Sequence, residues 1–172
     1  MTYWDEHPTL YRPWLDRDWS GLSAFSKRAT FIMLNPSTAD ETRDDPTIRR
    51  CISFAKREGC DGLIVVNLYA LRTTRPAHLF EHPDPVGRNL AHECPGFDSN
   101  DDAISGAMAM ERGPVIAAWG GNAERGRVGE VEGIALELGR QLWCLGTTKD
   151  GSPRHPLYVR NDQPLMPWPV TL

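Results

Sequence analysis

This 172-residue sequence lacks most of the features that announce a function at once. Its four cysteines, Cys51, Cys60, Cys94 and Cys144, include no Cys-x-x-Cys pair. Zinc and iron–sulfur sites usually need that spacing, so no metal and no cofactor are expected. Cys51 and Cys144 fall inside apolar stretches and are expected in the core, whereas Cys60 and Cys94 sit nearer turns. No apolar run is long enough to span a bilayer, so no membrane association is expected. The first residues do not follow a basic segment with an apolar one, which predicts a cytoplasmic protein without a signal peptide. There is no excess of positive charge either: the net charge of −4 supplies no global field to gather nucleic acid. Neither internal repeats nor low-complexity segments are visible, and no obligatory protein partner is evident.

What is present is the composition of a globular domain, 40% hydrophobic and 24% charged. Residues 1–172 are read as a single domain large enough to bury a core. Residues 1–28, with Tyr3, Trp4, Tyr11, Trp14, Trp19 and Phe25, read as a cover for the sheet. Within them Leu10 to Leu15 has the imperfect alternation and the proline of an edge strand.

The organising stretch is Phe31 to Asp40, in which four apolar residues run into Asn35-Pro36 and an acid-rich loop. Such a run reads as a strand buried on both faces that ends in a turn. Further strands are predicted near 63–67, 114–119 and 141–145, each bounded by glycine, asparagine or a polar turn. Asp45-Pro46 has the form of an N-cap followed by proline in the first turn, and opens a helix ending at Gly59. Pro76 is read as the start of a short helix, 98–112 and the stretch from Gly121 to about Gly139 as longer ones. Residues 82–100 read as a long surface loop. Strands alternating with helices predict an α/β fold, a three-layer α/β/α sandwich around a central, mainly parallel four-stranded sheet.

In such sheets ligands bind beyond the carboxyl ends of the strands. There the sequence puts Asn35 with the Ser37 and Thr38 hydroxyls, Asn67, Gly120-Gly121, and Gly146 with His155 downstream. An amide offers a donor and acceptors and can read the edge of a flat heterocycle, and a histidine can hydrogen-bond or donate a proton near neutrality.

The ordered set Met-Leu-Asn-Pro, Val-Val-Asn-Leu, Val-Ile-Ala-Ala-Trp-Gly-Gly-Asn-Ala and Arg-His-Pro-Leu resembles the uracil-DNA glycosylase superfamily. Leu-Asn-Pro-Ser-Thr-Ala-Asp, Asp-Pro-Thr-Ile-Arg-Arg-Cys, Asn-Leu-Tyr-Ala-Leu-Arg and Pro-Arg-His-Pro-Leu-Tyr-Val resemble the domain-of-unknown-function 1643 family, over roughly residues 10 to 168. The first resemblance implies a hydrolase of N-glycosidic bonds acting on a base in DNA or in a nucleotide. Asn35 would position water, His155 would stabilise charge on the departing base, and Asp40, Asp44 or Asp45 would supply any base, with Asp40 taken first. Asn67 would read the base, with Pro36, Ser37, Trp119, Gly120 and Arg154 around it, and Leu157 or Tyr158 would fill the gap left by a flipped nucleotide. The sequence departs from the superfamily pattern at Ser37 and in Arg154-His155-Pro156-Leu157, which lacks the second proline of the superfamily's His-Pro-Ser-Pro loop. Two other readings stay open: a non-catalytic nucleotide or nucleic-acid binding module on the same fold, and an unrelated small-molecule enzyme.

Overall fold

The computed structural model describes residues 10–21, 27–110 and 112–169. Tyr3, Trp4 and Phe25 of the proposed cover segment lie outside the described residues. The strands are β1 (Leu15–Asp18), β2 (Arg28–Met33), β3 (Gly62–Asn67), β4 (Val115–Ala117), β5 (Leu142–Cys144) and β6 (Met166–Pro167). The helices are α1 (Pro46–Arg57), α2 (Asn100–Met110) and α3 (Arg125–Glu137), with short 3-10 helices at Pro76–Glu81 and Pro156–Tyr158.

The strands form one six-stranded sheet in the order β1-β3-β2-β4-β5-β6. The four inner strands, which are the four predicted, run parallel to one another. The predicted four-stranded sheet is thus incomplete, because β1 and β6 add antiparallel edges and make the sheet mixed. Both edges lack an apolar run: β1 is Leu-Asp-Arg-Asp and β6 is Met-Pro. Proline is tolerated at an edge, where one side of the strand needs no ladder bond. The expected edge strand at Leu10–Leu15 begins where that prediction ended; Tyr11 makes only an isolated bridge to Leu71.

Alternation along β2 explains the layering. Ala29, Phe31 and Met33 join Ile48, Cys51, Phe54 and Ala55 of α1 in one buried cluster. Ile32 joins Ile104, Ala107 and Met108 of α2 and Val131 and Ala135 of α3 in the other. Helices therefore cover both faces. Asp45 accepts from the Ile48 backbone N–H at 2.8 Å, so the Asp-Pro signal does mark the start of α1. Cys51 and Cys144 are fully buried, as their apolar surroundings predict. Cys60 is buried too, although it stands next to the turn at Gly59.

Close approach sets one glycine. A Cβ on Gly113 would lie 2.0 Å from the Arg28 carbonyl oxygen, so only glycine lets the chain enter β4 beside β2. Residues 82–99 contain no helix or strand but are pinned to the body. Leu90 is fully buried, the Tyr11 hydroxyl donates to the Asp84 carbonyl at 2.9 Å, and the Asn100 N–H donates to the Gly87 carbonyl at 2.8 Å. Among the described residues no helix is long and apolar enough to cross a membrane.

Candidate functional site

Because the inner strands are parallel, their carboxyl ends meet at one edge of the sheet. Met33 is in register with Asn67, and Ala117 with Cys144. A cavity of about 480 Å³ opens there. Asn35 and Ser37 reach it from the loop after β2, Asn67 from the last position of β3, and Trp119 and Gly120 from the turn after β4. Arg154, His155, Leu157 and Tyr158 reach it from the segment after β5. The volume is within the range of small-molecule sites.

The cavity's walls are tied to one another. The Gly120 N–H donates to the Pro153 carbonyl at 3.0 Å, and Gly120 takes a φ of 77° that side chains rarely adopt. Arg50 of α1 donates to the Pro156 carbonyl at 3.4 Å and bonds the Val159 carbonyl and Asn161 as well. Arg50 thus holds the histidine segment in place. The end of β3 is clamped from behind. The Asn100 amide donates to the carbonyls of Asn67 at 2.9 Å and Leu68 at 3.2 Å, and Arg127 Nε donates to Leu68 at 2.7 Å. Arg127 is itself held by Asp101 at 2.6 Å and Glu130 at 2.7 Å.

Three side chains have a defined chemical face. Both donations of the Asn35 amide nitrogen go to backbone, to Pro36 at 2.9 Å and Thr73 at 2.7 Å. What Asn35 can offer a ligand is its acceptor oxygen, Oδ1. His155 Nδ1 accepts from the Leu157 N–H at 3.3 Å. A neutral ring with an accepting Nδ1 carries its proton on Nε2 and is a donor there. Burial lowers the His155 pKa below its ordinary 6.5, with Asp45 pulling the other way, so the ring is neutral at pH 7. Asn67 differs from both. It is 2% exposed and lines the cavity, and among the described residues its side-chain amide makes no hydrogen bond.

Trp119 is 3% exposed and packs edge-on against Trp168 with ring centroids 5.6 Å apart, which fixes an indole in the wall. Leu157 and Tyr158 are 41% and 79% exposed at the rim.

Two of the predicted site residues do not line the cavity. Pro36 acts through its backbone, its carbonyl accepting from the Thr73 N–H at 3.0 Å as well as from Asn35. Asp40 closes its own turn, with one carboxylate oxygen accepting from the N–H groups of Thr42 and Arg43, both at 2.8 Å. Those bonds hold its pKa below the usual carboxylate range. Asp44 is paired with Arg17 at 2.8 Å. Asp45 is the carboxylate that reaches the cavity among the described residues. Its place at the head of α1 was legible, but nothing in a run of aspartates between 40 and 45 singles it out for the cavity. Arg12 also lines the cavity, and no signal in its proline- and aromatic-rich surroundings marks it. A second, more open depression of about 710 Å³ lies at the opposite, amino-terminal end of the strands, bordered by Lys27, Arg57, Pro114 and Trp143, and holds none of the predicted residues.

A profile of the family described as protein of unknown function (DUF1643) matches residues 12–157, which include all of the cavity except Tyr158. No curated protein and no solved structure matches the chain significantly.

Proposed function

The chain belongs to the DUF1643 family, and we propose that it binds a nucleobase-bearing ligand in this cavity and hydrolyses its N-glycosidic bond. The observation that carries the reading is Asn67, a buried residue whose amide has no protein partner among the described residues, on the wall of a base-sized cavity. Its amide atoms are not among the wholly shielded unpaired ones, so they open to the cavity, where a ligand group can take the place of water. An amide pairs best with a group that presents a donor and an acceptor side by side, as a nucleobase edge does. Trp119 adds an aromatic wall, and the order of motifs that resembles the uracil-DNA glycosylase superfamily supports the same chemistry.

In this reading the water oxygen attacks the anomeric carbon while the carbon–nitrogen bond breaks and its electron pair leaves on the base. Asn35 Oδ1 accepts a hydrogen bond from the attacking water and orients it. The water's proton passes to Asp45 or to solvent. His155, neutral and a donor at Nε2, stabilises the negative charge on the departing base, which is greatest in the transition state. The base is carried in DNA or in a nucleotide. The test is a panel of single-stranded and duplex oligonucleotides with uracil, mismatched or modified pyrimidines, alongside free nucleosides and nucleotides, scored for abasic sites and free base. His155→Ala should slow cleavage by about a hundred- to a thousand-fold with little loss of binding, the usual effect of removing one such donor.

One observation favours a binding module instead. Asp45 Oδ1 already caps α1, which leaves only the other carboxylate oxygen for chemistry. Wild-type protein that binds members of the panel and cleaves none would establish that alternative.

A further inference from the structure

The entry to β1 puts a cation in the wall of the cavity, and among the described residues no anion meets it. Arg12 precedes β1, and its backbone is fixed by donation of its N–H to the Ala70 carbonyl at 2.9 Å. Next to it the Arg72 N–H donates to the Leu10 carbonyl at 3.0 Å, so the two arginines lie on neighbouring, paired segments. Arg12 lines the same cavity as Asn67 and His155. Its Nε and Nη1 are shielded from solvent and have no hydrogen-bond partner among the described residues. No carboxylate stands within ion-pair distance of it there.

Arg12 as a whole is half-buried, but two shielded guanidinium nitrogens without partners are unusual, because removing a cation's donors from water is costly unless an anion and hydrogen bonds replace the water. The surroundings make matters worse rather than better. Burial and the like charge of Arg72 hold the Arg12 pKa down to about 10, against the opposing pull of Asp45 and Asp40. At neutral pH the side chain is therefore still charged. Asp45, the carboxylate of the cavity wall, is engaged by the Ile48 N–H and forms no ion pair with Arg12.

We propose that Arg12 is the seat of a phosphate group carried by the ligand, and that the ligand is a nucleoside monophosphate bound one molecule at a time. A guanidinium meets phosphate with paired N–H donors, which would satisfy both orphan nitrogens together. The proposal rests on the reading that Asn67 receives a base, and it adds the group that the base must carry. A free nucleotide is favoured over a strand on two grounds. Proteins that track a nucleic-acid backbone line an accessible groove with cations, whereas here the unpaired guanidinium nitrogens, Arg12 Nε and Nη1, are shielded from solvent. The net charge of −4 also opposes a polyanion far more than it opposes a single phosphate. A terminal phosphate can reach shielded nitrogens end-on; an internal phosphodiester would have to continue on both sides of them.

The test is calorimetric titration of the full chain with the four common nucleoside 5′-monophosphates, the matching nucleosides, inorganic phosphate and a single-stranded oligonucleotide. At least one monophosphate should bind tenfold or more tightly than its nucleoside. Arg12→Gln should abolish that difference, and Arg12→Lys should retain part of it. Asn67→Ala should weaken nucleoside and nucleotide alike while leaving inorganic phosphate binding unchanged, so the two halves of the site fail separately. If no nucleoside binds, the base reading has failed; inorganic phosphate binding lost in Arg12→Gln would still establish the seat. Equal affinity for nucleoside and monophosphate in the wild type, or a difference that survives Arg12→Gln, would overturn the proposal. Tighter, Arg12-dependent binding of the oligonucleotide than of any monophosphate would overturn the choice of a free nucleotide. Should Arg12→Gln fail to fold, the wild-type difference and the Arg12→Lys variant decide the matter.

Discussion

Replacing Asn67 by leucine should make the protein more stable and remove its function. The side chain is 2% exposed, and its amide has no protein partner among the described residues. An unpaired buried amide costs roughly 1–3 kcal/mol, but the cavity beside it lets water pay part of that cost, so the low end applies. Leucine has no polar atom to satisfy, its two methyl groups take the places of the amide oxygen and nitrogen, and the cavity of about 480 Å³ gives their greater bulk room. Removing the amide should then stabilise the fold by about 1 kcal/mol, a rise of roughly 2–4 °C in Tm for a chain of this length. The measurement pairs thermal unfolding with titration of the ligands named above. Nucleosides and nucleotides should bind at least tenfold more weakly to the variant, since a site built around hydrogen bonds loses most when one is removed. A fall in Tm of several degrees would mean that the amide holds the structure together, and unchanged binding would mean that it does not face the ligand. Either result refutes the reasoning.

Asp45 carries two roles that substitution can separate. Asp45→Asn should keep the cap on α1 and the stability within about 0.5 kcal/mol while lowering any cleavage rate, whereas Asp45→Ala should cost about 1 kcal/mol in denaturant unfolding. Asp40→Ala should leave binding and cleavage within about twofold in the panel assay, because Asp40 closes its own turn outside the cavity. Gly120→Ala should destabilise by about 1 kcal/mol through its φ of 77° alone, since the added Cβ would come no closer than 3.8 Å to His155, and circular dichroism melts would show it. The lowered pKa of His155 makes the folded state the poorer proton acceptor. Stability is then complete above the unfolded value near 6.5 and falls as pH drops through the folded value. Melts between pH 7 and 4.5 should show a smaller loss for His155→Gln than for the wild type.

The parts of the fold that could be read from the sequence are those in which burial leaves a one-dimensional trace. Gly62-Leu-Ile-Val-Val-Asn67 is buried at every position, and such a run has few alternatives to an inner strand. The edges leave no such trace. Leu15–Asp18 alternates one buried leucine with charges, and only its pairing with β3 makes it a strand. Boundaries shift for a similar reason: the third strand pairs at Val115–Ala117 alone, while Ala118 continues to donate to Ile32 at 2.9 Å beyond the ladder's assigned end.

The candidate site divides along the same line. Asn35, Asn67 and His155 stand where a strand ends or a loop turns, and parallel strands bring such positions to one edge whatever the remainder of the chain does. Asp45 and Arg12 depend on contacts far apart in sequence. Asp45 is separated from its neighbouring aspartates by what each carboxylate meets: a tight turn for Asp40, Arg17 for Asp44, and the head of α1 at the cavity for Asp45. Arg12 reaches the cavity because β1 docks antiparallel on β3 and carries the preceding residues along the segment that follows it, from Ala70 to Arg72. An arginine between Tyr11 and Pro13 is an ordinary surface residue in sequence terms. Only the pairing of an edge strand turns it into a half-buried charge with two shielded, unpaired nitrogens, and a ligand's phosphate is the partner proposed for them.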